Sequence, residues 1–232
     1  MLKLSKEEII NLFPEAIPKL KTYAKMIHEQ NQIMNITGFK SEEEIFEQGI
    51  LTSIYTFMQA KDACNFDYTN KEILDIGAGA GFPSVPLLIA LNNSFHLTII
   101  ESITKRCLFL EQVKKEFNLN MTIINARAEN VTIGYENKFD FICARALASC
   151  TIIYLISNHL MKKDGYWILP KGKSALDEIS YFQSKFPLEK ENIKAYPFYD
   201  PIEKDNTFLV TIKKVKTSPR GWPWAWSKIK NY

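Results

Sequence analysis

Asp75-Ile76-Gly77-Ala78-Gly79-Ala80-Gly81-Phe82-Pro83 is the stretch on which the reading of this chain turns. Three of its nine glycines fall within five residues, where the backbone can turn sharply and approach a ligand with no Cβ in the way. The apolar run Glu72–Ile76 before the loop reads as a strand, and Pro83–Leu91 after it reads as a helix with Pro83 near its first position. A dinucleotide-binding turn would need its third glycine at position 82, which is Phe82. The spacing is therefore G-x-G-x-G. Glu101 ends the next apolar run, 20 residues beyond Gly81. A carboxylate there can accept hydrogen bonds from both hydroxyls of a ribose; the competing reading is an acid capping the helix that starts near Thr104. No G-x-x-x-x-G-K-[ST] loop occurs, which disfavours nucleoside triphosphate hydrolysis. An adenosine site without a pyrophosphate cradle makes S-adenosylmethionine the expected cofactor.

Outward from this loop, strands and helices alternate. Strands are expected at Glu72–Ile76, His96–Glu101, Met121–Asn125, Phe139–Ala144 and Gly165–Pro170, with helices at Pro83–Leu91, Thr104–Phe117, Ser149–Met161 and Ser174–Phe186. Such alternation predicts a parallel sheet covered by helices on both faces. Ile193–Tyr199 and Thr207–Lys214 follow with no helix between them, and Asp200-Pro201 and Asp205-Asn206 are turn residues, so an antiparallel pair closes the sheet. That ending is unlike the common nicotinamide-binding arrangement and suits a methyltransferase-type sheet. Upstream, Ile17, Leu20, Ala24 and Ile27 keep helical spacing, and Ile45 to Met58 continues apolar after the acidic opening Glu42-Glu43-Glu44. The expected organisation is a helical extension over residues 1–70, an α/β core over 71–214 and a tail over 215–232. No repeat or low-complexity segment interrupts it.

The bulk properties are those of an ordinary globular protein: 232 residues, 46% hydrophobic and 24% charged. No stretch is apolar enough to span a membrane, and Met1-Leu2-Lys3-Leu4-Ser5-Lys6 runs directly into Glu7-Glu8, unlike a secretory signal; a cytoplasmic protein is expected. The net charge of +3 is unevenly placed, because residues 213–232 carry six basic side chains and no acid. Cys64, Cys107, Cys143 and Cys150 include no C-x-x-C pair, so reduced, mostly buried thiols are expected, with no metal site.

Loops at the carboxyl ends of the later strands should complete a site. They read Ala126-Arg127-Ala128-Glu129, Ala144-Arg145-Ala146-Leu147-Ala148-Ser149 and Pro170-Lys171-Gly172-Lys173. Only four of the 29 basic residues are arginines, and two of those four, Arg127 and Arg145, stand in these loops. Any one such cation is most simply a solvated surface group, but three successive strand ends each offering one favour phosphate binding. The Asn/Asp-Pro-Pro-aromatic loop used on exocyclic base amines is absent after strand four, and so is the Pro-Cys pair used on carbon 5 of pyrimidines. Guanine N7 needs neither, since its in-plane lone pair can attack a sulfonium methyl without a general base. A donor aimed at N7 would occupy that lone pair, so Arg145 or Lys171 should hold phosphate or guanine O6.

Taken together these loops resemble the bacterial 16S ribosomal RNA guanine-N7 methyltransferase family (RsmG, also called GidB) over nearly the whole chain. Asn31-Gln32-Ile33-Met34-Asn35-Ile36-Thr37 is similar to the family's N-x-x-x-N-L-T segment, and Asp75 to Pro83 with Val85-Pro86 to its glycine loop. Glu101-Ser102, Lys105-Arg106 and Phe109-Leu110 match its [DE]-S-x-x-K-R-x-x-F-L signature; Arg127-Ala128-Glu129, Arg145-Ala146 with Ala148, and Lys171-Gly172 match shorter elements. The resemblance implies a class I S-adenosylmethionine-dependent methyltransferase fold, a Rossmann-like seven-stranded sheet. It also implies cofactor contacts from Asp75, Gly77, Gly79, Gly81, Phe82, Glu101, Ala128, Glu129 and Arg145. Arg127, Arg145, Lys171 and Arg220 would then engage RNA, with Arg145 and Lys171 positioning the target and no general base. The implied partner is 16S rRNA or the small ribosomal subunit, met by a monomer. Trp222, Trp224 and Trp226 of the tail either stack on unpaired bases or dock the tail on the protein. Three departures stand out. Gly49-Ile50-Leu51-Thr52-Ser53 occupies the place of the family's H-x-x-D-S, Ser84 stands where glycine is usual, and Ala144 replaces a serine. Two rival readings remain: a small-molecule methyltransferase on the same sheet, and a non-catalytic relative that binds ribosomal RNA.

Overall fold

The structure is a computed structural model that describes residues 2–198 and 207–232. Seven strands form one sheet: β1 (Glu72–Ile76), β2 (His96–Glu101), β3 (Met121–Asn125), β4 (Phe139–Cys143), β5 (Met161–Lys171), β6 (Ile193–Phe198) and β7 (Thr207–Lys213). Their order is β3-β2-β1-β4-β5-β7-β6. β1 to β5 pair in parallel, and β7 pairs antiparallel with both β5 and β6. This is the class I methyltransferase arrangement anticipated above. The expected turn residues Asp200, Pro201, Asp205 and Asn206 lie outside the described residues. The order reverses between β1 and β4, so the crevice at their carboxyl ends is where an open sheet of this kind takes a ligand.

Period-2 alternation sends successive side chains to opposite faces. Ile73, Leu97 and Ile99 join a core with the N-terminal helices and α5 (Ser84–Ala90), while Leu74, Ile76 and Ile100 join a second core with α7 (Cys150–Ser157) and α8 (Ala175–Lys185). Of the N-terminal helices α1 (Lys6–Leu12), α2 (Ile17–Ile33), α3 (Glu42–Glu44) and α4 (Thr52–Cys64), all but the acidic α3 thus share a hydrophobic core with the sheet. α6 (Thr104–Phe117) covers β2 and β3.

Two elements depart from expectation. Met161, expected to end a helix, begins β5: α7 stops at Ser157, and Asp164 at φ 65° with Gly165 makes an irregular step in the pairing with β4. The run after Glu44 is a π-helix, Ile45–Leu51, ahead of α4. An i→i+5 ladder is rare and tends to occur at functional positions. Here it presents Gln48 and Gly49 carbonyls that accept from Arg145, at 3.2 Å and 3.4 Å.

Candidate active site

The glycine loop owes its shape to the N-terminal helices as much as to its own sequence. The fully buried Tyr23 hydroxyl, on α2, donates to the Ala80 carbonyl. Asn31 uses both amide ends: its oxygen accepts from the Ile36 and Thr37 amides, at 3.1 Å each, and its NH2 donates to Thr37 Oγ1 and the Phe39 carbonyl. That fixes residues 36–39 over the loop, so the Asn31-to-Thr37 segment is a turn organiser. Gly77, Gly79 and Gly81 all have positive φ, a conformation L-residues rarely adopt. A Cβ on Gly77 would meet Leu147 Cδ1 at 2.7 Å, so that side chain would have to shift, and φ +69° would be strained besides.

Asp75 lies beneath this loop, fully buried, and its Oδ2 accepts from the Ser84 hydroxyl at 2.6 Å and the Ser84 amide at 3.2 Å. The serine in place of glycine therefore ties the first turn of α5 to β1. Burial pushes the Asp75 carboxyl up to about 7, against the lowering by the Ser84 bonds.

Glu101, 2% exposed at the end of β2, accepts from the Gly79 amide at 3.1 Å and the Ile103 amide at 2.9 Å, with Arg106 Nη1 at 3.8 Å. The carboxylate thus ties the glycine loop to Ile103, the residue ahead of α6. Across the loop, Ala128 and Glu129 form a short 3-10 turn after β3. Glu129 Oε1 is buried without a hydrogen-bond partner among the described residues, 3.8 Å from Arg127 Nη1. An orphaned buried acceptor is costly unless something donates to it. A cavity of about 130 Å³ opens here, lined by Gly77, Ser102, Ala128, Glu129 and Leu147. A glycine cradle, a carboxylate beside it and an unpaired acceptor suit a ribose and an aminopurine, so the residues present fit an adenosine-bearing cofactor.

A second cavity, about 440 Å³, shares Leu147 and Ala148 with the first and is lined further by Thr56, Arg145, Lys171 and Phe208. Ala146 between the two has φ 53°, a strained conformation for alanine in the loop that separates them. The Arg145 guanidinium lies 5.8 Å from the ring centres of both Phe39 and Phe82 and bonds the π-helical carbonyls described above. Gly49 makes that packing possible: a Cβ there would stand 2.7 Å from Phe82 Cζ. So the segment lacking the family's histidine and aspartate holds Arg145 through backbone oxygens and leaves its space to two aromatic rings.

Lys171 sits differently from the expected phosphate contact. Its side chain is 9% exposed, pairs with Glu178 at 2.9 Å and donates to the Ala148 carbonyl. Burial raises the Glu178 carboxyl, but the hydrogen bond and charge of Lys171 outweigh this and hold it below the usual range. In this state Lys171 orders the Arg145–Ser149 loop and α7. Arg220 is exposed in the tail, and Arg127 is half exposed over the Trp226 ring, 5.4 Å from its centre. Sequence reasoning missed Phe39, Leu147 and Glu178, whose roles arise from contacts between segments distant in sequence.

Among solved structures, a tRNA methyltransferase of Aquifex aeolicus aligns with a TM-score of 0.52 at 14% identity, covering 71% of this chain and 69% of its own. An S-adenosylmethionine-dependent O-methyltransferase of Thermotoga maritima aligns at 0.51 and 13%, covering 73% and 66%. At such identities the likeness is one of fold. Sequence relatives are more telling. The protein named ribosomal RNA small subunit methyltransferase G of Mycoplasmopsis pulmonis is 37% identical over 227 residues, 96% of each chain. Its namesake in Bacillus subtilis is 31% identical over 225 residues, 94% of this chain and 90% of that one. The profile of the GidB family, described as rRNA small subunit methyltransferase G, matches residues 16–205. With that profile across most of its length and relatives matched nearly end to end, the chain belongs to the GidB family of ribosomal RNA small subunit methyltransferases.

Proposed function

We propose that this protein transfers a methyl group from S-adenosylmethionine to N7 of a guanosine in 16S ribosomal RNA. The observation that carries the reading is the pair of adjoining cavities that share Leu147 and Ala148: one is lined by Gly77, Ala128 and Glu129, and the other by Arg145. The cofactor supplies an activated methyl on a sulfonium. Gly77, Gly79 and Gly81 give its methionine portion close approach, Glu101 accepts from the ribose hydroxyls, and Ala128 with Glu129 takes the adenine edge. The start of α5 lies beyond the loop, but Ser84 and Asp75 already engage each other there.

Nothing in this chemistry needs a proton removed before attack, because N7 carries an available lone pair; the protein has to align two reactants. Arg145 does this from a pre-set position, gripped by the Gln48 and Gly49 carbonyls and flanked by Phe39 and Phe82. From the cavity that it lines, Arg145 would hold phosphate or guanine O6. Lys171 acts on the same loop from within through Glu178, and Arg127 and Arg220 add charge for the RNA backbone. Among the described residues no helix is long and apolar enough to cross a membrane. The reading places a monomer in the cytoplasm, on naked rRNA or an assembling subunit.

The test is methyl transfer from labelled S-adenosylmethionine to 16S RNA and to 30S particles from unmethylated cells, followed by mass spectrometry of the digested RNA. The expected product is 7-methylguanosine at one site. Cofactor binding without RNA labelling would refute the proposal in favour of a small-molecule enzyme or a non-catalytic binder.

A further inference from the structure

We infer that Trp226, carried back by the C-terminal tail, forms a wall of the cofactor pocket and packs against the adenine ring; the inference rests on the reading of that cavity as the adenosine site. The tail is held along most of its course. The buried Lys214 ammonium donates to the Asn158 and Met161 carbonyls, at 2.7 Å each, and reaches Ser218 Oγ at 3.0 Å. Trp222 meets Tyr154 edge-on with ring centres 5.8 Å apart, and Trp224 lies 5.2 Å from Trp222 and 5.6 Å from Tyr232. Ile229, in the short helix α9 (Trp226–Ile229), is fully buried in the second core.

Trp226 is set apart from these anchors. It remains 40% exposed, although the helix that carries it is pinned by Ile229. Its ring lines the same cavity as Gly77, Ser102 and Glu129. Two features around it point to a flat ligand bearing an amine. Glu129 Oε1 is a buried acceptor with no hydrogen-bond partner among the described residues, suited to an exocyclic N–H. Arg127 is stacked on the indole at 5.4 Å and lies 3.8 Å from that same carboxylate, so its charge steadies both walls. A purine entering between the β2 and β3 ends would place its edge toward Glu129 and offer apolar area to the indole. Of the two uses expected for the tail tryptophans, Trp222 and Trp224 serve docking, and Trp226 serves the cofactor instead of an RNA base.

The experiment measures S-adenosylhomocysteine binding to the full-length protein by calorimetry, together with its effect on intrinsic fluorescence. Trp226→Ala is expected to weaken binding about ten-fold, the equivalent of ~1.4 kcal/mol. Trp226→Phe keeps an aromatic wall and should lose no more than about three-fold. The melting temperature of either unliganded variant should stay within about 1 °C of the parent, since the indole is a surface group. The fluorescence change caused by the ligand in the parent should vanish in Trp226→Phe. Unchanged affinity in Trp226→Ala, with the fluorescence response retained in Trp226→Phe, overturns the inference. So does a loss of rRNA affinity with S-adenosylhomocysteine binding intact, which would give the indole to RNA. Gly79→Asp separates the two levels of argument. If it binds like the parent, or if the parent binds nothing, the adenosine site itself is misassigned; if it has lost binding while Trp226→Ala has not, only the role of Trp226 fails.

Discussion

Asp75→Asn tests whether the acid at the end of β1 is a neutral structural group. In the folded protein burial raises its carboxyl to about 7, against 3.8 for the free side chain. Between those values the native state holds a proton that the unfolded chain has released. The stability this contributes is therefore complete below 3.8 and lost as pH rises through about 7. Three pH units correspond to about 4 kcal/mol. Asparagine does not titrate, so the variant should gain on the parent as pH rises. Its amide carbonyl can still accept the two Ser84 bonds, but its NH2 takes the place of Oδ1, which has no hydrogen-bond partner among the described residues, at a cost of about 1–3 kcal/mol. The expected outcome is a variant less stable than the parent near pH 4 and more stable, by about 1–3 kcal/mol, at pH 8. Urea unfolding followed by circular dichroism at pH 5, 6, 7 and 8 gives the difference directly. It should change by about 1.4 kcal/mol per unit up to pH 7 and then level off. A difference that stays flat across this range would show that Asp75 is ionised in the fold, and the account of the Asp75–Ser84 contact would be wrong.

Three further outcomes follow from the geometry. Gly81→Ala forces a Cβ against the Tyr23 hydroxyl and to 2.8 Å from Val85 Cγ2 at φ +105°, so stability should fall by at least ~3 kcal/mol; Gly172→Ala, with open space around it, is the control, and equal melting temperatures for the two would refute this. Burial lowers the Lys214 ammonium to about 8, so the native state releases its proton before the unfolded chain does, and stability should rise with pH from about 8 toward 10.5. Lys214→Met should abolish that rise in pH-dependent melting and expose the tail to limited proteolysis. Arg145→Lys keeps the charge but not the two-pronged grip on Gln48 and Gly49, and kcat for methyl transfer should drop about ten- to a hundred-fold; single-turnover kinetics that match the parent would rule out a positioning role.

Much of this protein was legible from local sequence, for a physical reason. Strand and helix periodicity, the closely spaced glycines and the acid at the end of β2 are properties of short windows, and they located the sheet and the loop at the carboxyl end of β1 with Glu101 beside it. The anchors of the tail and the grip on Arg145 were not legible, because they are made by residues far apart in the chain. Gly49 and Phe82 meet only when the π-helix lies across the glycine loop, and that meeting decides how the segment lacking the family's histidine and aspartate can hold an arginine. Lys171 read as a cation offered to phosphate, and only the packing of α8 brings Glu178 to within 2.9 Å of it, since a charge at a strand end is exposed or internal according to what packs over it. Trp226 is the clearest case. Three tail tryptophans look alike in sequence, and only contacts made across the fold set Trp222 on Tyr154 and Trp224 on Tyr232 while Trp226 lines the cavity with Gly77.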